Sequence, residues 1–184
     1  MKKILFLFII VFSFSLFSQR IKPFYGPFPE PTPNKKMLFY LQRTVNRNTL
    51  IYELNYDLSA DLNYKEPVKV YWINFEDGGT KSELSFFQRK FAYGVNTDLI
   101  DEKNGIYEIH LVAYDKVKLY LKKSGEDNHY HVEVLIKGKT AILDKIFIKI
   151  SGGSLMSPTI QYVELTGHDL ISGDDVSERI KTPH

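Results

Sequence analysis

The chain has 184 residues, 43% of them hydrophobic and 14% aromatic, which is enough for one domain with a sizeable core. It has no cysteine, which excludes disulfides, thiolate metal sites, a cysteine nucleophile and a lipid-modified N-terminal cysteine. The formal net charge of +2 comes from Lys2 and Lys3 alone, so no overall basic charge argues for a nucleic-acid partner.

Residues 1–18 read as a signal peptide: two lysines, an uncharged apolar run over 4–17, then Ser18. The run is shorter than the roughly 20 residues a membrane span needs. Cleavage close to Ser18 is expected, giving an exported protein, periplasmic or secreted, with no stable membrane insertion. Residues 19–36 carry prolines at 23, 27, 29, 31 and 33 and read as a linker, either a tether or an arm laid on the domain. A single β-rich domain is expected over 37–184.

Two strands, 37–43 and 49–56, flank a polar loop. The stretch 68–75 holds the only tryptophan, Trp72, and is apolar on both sides of the pleat, so both faces should be covered. Asp77-Gly78-Gly79 supplies a turn, and Thr80 stands three residues before Glu83, the spacing of a helix capping box. The spacing of Leu84, Phe87 and Phe91 predicts a helix over about 81–93 that covers the central strand, with Gly94 ending it in a left-handed turn. A short strand over 95–100 follows. Four runs then alternate at period two: Tyr107 to Ala113, Val117 to Leu121, Val132 to Ile136 and Ile146 to Ile150. A last strand is expected at 159–165 and a loop or short turn over 167–180. The sum is a mainly all-β fold: an antiparallel barrel of eight or nine strands, or a strongly curved sheet, with one covering α-helix. A two-sheet β-sandwich is the alternative.

Three segments, LFYLQRTVNRNTLIYELN (38–55), PVKVYWINFEDGG (67–79) and ELSFFQRKFAYG (83–94), resemble the family called domain of unknown function 4833. The closing stretch YVELTGHDLISGDDVSERI (162–180) is similar to it as well, so the resemblance covers about 37–180. Such a resemblance implies no activity, substrate or catalytic residue.

His129, His131 and Glu133 fall at i, i+2 and i+4, where one strand face could present two imidazoles and a carboxylate to a metal ion. A further protein ligand for a catalytic zinc site is looked for on a neighbouring strand, with His110 the candidate. Lys116, Lys118, Lys122, Lys145 and Lys149 form a candidate basic stripe, more simply explained as charge that keeps an exposed sheet soluble and its edges unpaired. Asp174 and Asp175 sit in the terminal loop with no fixed separation for acid/base work. Arg43, Asn46, Asn48, Gln88 and Arg89, beside the aromatic Trp72 and Tyr93, could orient a small polar ligand or sugar. If the first three strands neighbour in order, Arg43, Asn46 and Asn48 should border a cleft beside the helix, with Arg89 reaching toward it. The leading expectation is therefore a non-catalytic binding module for a small molecule, a glycan or an envelope protein, with no cofactor. A metal-dependent or other hydrolase and a structural interaction module are the alternatives.

Overall fold

A computed structural model describes residues 20–125, 129–154 and 157–181, so the expected signal peptide lies outside the described residues. In chain order the strands are β1 (Met37–Arg43), β2 (Thr49–Leu54), β3 (Val68–Asn74), β4 (Thr80–Glu83), β5 (Val95–Asp101) and β6 (Ile106–Leu111). β7 (Tyr114–Lys123), β8 (Tyr130–Ile136), β9 (Lys139–Gly153), β10 (Pro158–Asp169) and β11 (Asp175–Lys181) follow.

β9 organises the sheet because both of its edges are used. β10 runs antiparallel along one edge from Ala141 to Gly153 and carries β11 outside it. The other edge is shared: β8 pairs antiparallel with 139–142, and β1 pairs parallel with 145–148. Two wings therefore leave the same edge of β9, one in the order β1-β2-β3-β4 and the other β8-β7-β6-β5. Phe39, Leu50 and Trp72 of the first wing join Ile109, Leu119 and Val132 of the second, with Ile146, Val163 and Leu165, in one hydrophobic cluster.

The all-β class is as the alternation indicates, and the finer architecture differs from it. The sheet is mixed, not purely antiparallel, and eleven strands are present among the described residues, not eight or nine. No barrel closes, because β4 and β5 are the two ends of the hydrogen-bonded path. The bonds run through one continuous sheet, so two separate sandwich sheets are not resolved.

The expected helix is largely replaced. Residues Thr80–Glu83 spend their backbone groups on β3, with Asn74 opposite Thr80 and Tyr71 opposite Glu83, so Thr80 and Glu83 cap nothing. The capping box is one turn later: Ser85 Oγ accepts the Gln88 N–H at 3.3 Å, and Gln88 Oε1 accepts the Ser85 N–H at 3.0 Å. It opens a single helical turn, α1 (Phe86–Gln88), which widens into a π-helical turn over Arg89–Tyr93. Leu84 is buried, but Phe87 and Phe91 are 71% and 58% exposed, so this segment does not cover the central strand. The outer side of β3 is closed instead by Tyr71, whose hydroxyl donates to Glu53 at 2.8 Å, and by Lys69 and Lys81 on the same carboxylate. Gly94 is extended, with φ −69°, and not left-handed. Glycine is required there for another reason: a Cβ would collide with the Arg89 carbonyl oxygen.

The expected C-terminal loop is strand. β10 continues to Asp169, bulging at Gly167 where a side chain would strike the Ile142 carbonyl, and β11 pairs back along it. The proline-rich segment lies on the domain as an arm. Its backbone bonds Gly153 and Thr44, Gln42 Nε2 donates to the Pro29 carbonyl, and Phe28 packs edge-on to Phe147.

Candidate functional site

Arg43 ends β1 with its side chain turned into the protein, only 7% exposed. Its guanidinium lies 4.6 Å from the Trp72 ring centroid and 4.9 Å from that of Tyr93. The two rings meet edge to face at 5.2 Å, and the Tyr52 hydroxyl fixes this corner by donating to the Tyr93 carbonyl at 3.0 Å. Stacking satisfies the planar faces of the ion but not its N–H groups. Arg43 Nε is buried with no hydrogen-bond partner, and among the described residues no carboxylate forms an ion pair with Arg43. Burial pushes the guanidinium pKa below its ordinary value, against the pull of the Tyr93 and Tyr52 hydroxyls and of Glu76. A buried cation with an unmatched donor is costly, so its retention asks for a reason.

The space it faces is a cleft of about 390 Å³ lined by Arg43, Asn46, Asn48, Trp72 and Gln88, with Asn74, Ser82 and Ser85. β1 and β3 both run antiparallel to β2, hence in the same direction, and their exit loops share one rim. Asn46 accepts the Asn48 N–H at 3.2 Å, and Asn48 Oδ1 accepts the Glu76 N–H at 3.2 Å, tying the two loops together. Asn74 Nδ2 donates to Ser82 Oγ at 2.8 Å. Trp72 Nε1 reaches Gln88 Oε1 at 3.5 Å, a long contact that fixes little. Glu83 also borders the cleft, but it is exposed and sits 3.6 Å from Arg89, so its charge is partly answered and well solvated.

Five of the seven residues expected to bind a ligand thus meet at one cleft: Arg43, Asn46, Asn48, Trp72 and Gln88. The other two do not line it. Arg89 faces a separate hollow beside Lys65, Gly94 and Thr97. Tyr93 lines an apolar cavity of about 370 Å³, which Arg43 borders as well. Nothing in the residue order points to Asn74 and Ser82, because 80–83 has the look of a helix start and not of a strand beside Asn74.

The histidine candidates separate. His131 Nε2 lies 3.2 Å from Glu133 Oε1, and its Nδ1 lies 3.0 Å from Ser124 Oγ. Lys122 holds the other Glu133 oxygen at 2.7 Å. His129 is exposed just before β8 and joins neither, while His110 pairs with Asp98 on the second wing. No group of three metal-ligating side chains occurs among the described residues. Ser124, His131 and Glu133 have the order of a nucleophile, a base and an orienting acid, yet none of them lines the cleft at Arg43, the hollow at Arg89 or the apolar cavity at Tyr93. The lysines do not act as one stripe: Lys118 and Lys122 are ion-paired, and Lys145 and Lys149 lie over aromatic rings.

Asp175, expected in a loose loop, is a β11 residue opposite His168. His168 lies between two carboxylates, Asp144 at 2.6 Å on Nδ1 and Asp175 at 3.2 Å on Nε2. Next along the chain, Asp169 accepts the N–H groups of Ile171 and Ser172 at 2.9 and 3.0 Å and pairs with Lys139 at 3.1 Å. Those bonds to Ser172, Ile171 and Lys139 hold its pKa down at about 2. The folded pKa lies below the unfolded value of about 4, so this stabilisation is complete above that value and is lost as pH falls through the folded pKa. Thermal melting should therefore show stability draining between about pH 4 and 2. Asp169→Asn should melt lower than the parent at neutral pH and lose less on acidification; parallel acid slopes in the two proteins would reject this assignment.

A family model described as Domain of unknown function (DUF4833) matches residues 39–179, most of the chain. No curated protein and no solved structure matches it.

Proposed function

The chain belongs to the DUF4833 family of unknown function, and from that premise we propose that its domain is a non-catalytic binding module for a small anionic ligand, working outside the cytoplasm. The observation that carries this reading is the buried Arg43 guanidinium, stacked on Trp72, bordering a cleft and lacking an acidic partner among the described residues. A ligand carboxylate, phosphate or sulfate in the cleft would supply the anionic partner that the Arg43 cation lacks. Such a charge-assisted bond is roughly twice as strong as a neutral one. The amides of Asn46, Asn48 and Asn74 and the Ser82 hydroxyl offer both donors and acceptors for the rest of a polar ligand. Export is proposed from residues 1–18, whose charged start, apolar run and serine have the form of a signal peptide.

Trp72 is the sole tryptophan and touches Arg43, so its fluorescence reads occupancy of the cleft directly. Titration with acetate, inorganic phosphate, sulfate and glucuronate should give a saturable change with at least one of them. Arg43→Met should weaken that binding roughly tenfold to a hundredfold, the value of a hydrogen bond to a charged group. Silence of Trp72 toward all four anions and toward longer acids alike would dismiss the reading.

A further inference from the structure

Resting on that reading, we propose that the ligand is an amphipathic acid, whose anionic head meets Arg43 and whose hydrocarbon tail fills the apolar cavity that Arg43 also borders. The cavity holds about 370 Å³ and is lined by Leu41, Leu111, Ile148 and Ile160, among other apolar side chains. That volume falls in the range of small-molecule sites, roughly 300–1,000 Å³. Arg43 stands at the boundary of the two spaces. Trp72, against one face of its guanidinium, lines the polar cleft, and Tyr93, also stacked on it, lines the apolar cavity. A purely polar ligand would leave the second space unused, and apolar cavities hold water poorly. A purely apolar ligand would leave the Arg43 cation, which borders both spaces, without an anionic partner.

The edge of the cavity adds an independent sign. Phe91 lines it yet is 58% exposed, and Phe86 and Phe87 beside it are 68% and 71% exposed. Three phenylalanines in one short segment meet one another, Phe86 edge to face with Phe87 at 5.7 Å and Phe87 stacked on Phe91 at 6.2 Å, and contribute almost nothing to the core. An apolar patch of this kind marks a contact surface, and here it adjoins the space where a chain would lie. The π-helical turn supplies both Phe91 and Tyr93, and such turns recur at functional sites. Lys90, 5.6 and 5.4 Å from the Phe86 and Phe91 rings, adds positive charge at the same edge.

The test is a chain-length series read by Trp72 fluorescence: acetate, hexanoate, octanoate and decanoate as soluble monomers, with octanol as the uncharged control. Affinity should rise about fourfold for each methylene the cavity buries. Octanol should bind at least about tenfold more weakly than octanoate, and Arg43→Met should erase that preference for the acid. Ile160→Phe, which fills the cavity, should flatten the series while leaving the response to short anions intact. A flat series in the parent protein alongside a clear acetate or phosphate response would overturn the tail and leave the anion-binding reading standing. A steep series unchanged in Ile160→Phe would place the tail elsewhere and likewise overturn the proposal. No response to any acid would remove both readings together.

Discussion

Phe39→Ala is expected to cost about 3–5 kcal/mol of folding stability, whereas Phe87→Ala should change it by less than about 0.5 kcal/mol. The two side chains are the same size and sit in opposite settings. Phe39 is 1% exposed and stacks on its cross-strand partner Tyr52 with ring centroids 4.4 Å apart and planes 12° from parallel. It stands on β1, the strand that hydrogen-bonds the first wing to β9, so no flexible neighbour can collapse into the space it would leave. Phe87 is 71% exposed and touches chiefly Phe86 and Phe91, so truncation removes little apolar area from the folded protein that the unfolded chain does not also expose. Urea denaturation with a common slope would compare the midpoints. Equal midpoints for the two variants would mean that the helical segment packs against the sheet after all.

The contrast shows where pattern reading works and where it stops. Alternation at period two located the core face of β6, β8 and β9 correctly, because a half-buried strand leaves its burial directly in the residue order: Tyr107, Ile109 and Leu111 are all buried. It says nothing of direction or neighbour, so the parallel pairing of β1 with β9, across a hundred residues, had no local trace. β11 did leave one. Val176 and Ile180 both pack on the core from a strand of alternating exposure, but the glycine and aspartates before it resemble a terminal loop. The helix failed for a different reason. Leu84, Phe87 and Phe91 have helical spacing, but the strand hydrogen bonds of Thr80–Glu83 take up the first turn, and the π-helical widening turns the later side chains off the expected face. The same two events decide the site. Arg43, Asn46 and Asn48 converge with Trp72 because strand direction alone puts their loops on one rim. Arg89 and Tyr93 turn elsewhere because they belong to the segment whose geometry the spacing misrepresents.

Arg43→Met should leave the folded protein as stable as the parent or more stable by about 1–4 kcal/mol, even as it weakens anion binding roughly tenfold to a hundredfold. A buried ion that holds a protein together does so through partners, and removing it strands them, at a cost of about 3–5 kcal/mol. Arg43 has no paired carboxylate among the described residues: Nε is unmatched, and its contacts are the Trp72 ring and Tyr93, whose hydroxyl gives it only a neutral partner. Methionine has nearly the same reach, stays apolar throughout and makes favourable contacts with both rings, while the desolvation that depresses the guanidinium pKa disappears with the charge. The effect should also depend on ligand. Parent protein gains stability with the logarithm of ligand concentration over Kd, and the Arg43→Met variant, binding more weakly, gains less at every concentration, so any advantage of the variant shrinks as ligand is added. Denaturation midpoints with and without octanoate would show it. A variant destabilised by several kcal/mol in the absence of any ligand would make Arg43 a structural residue of the Trp72–Tyr93 corner and take from the binding module its principal residue.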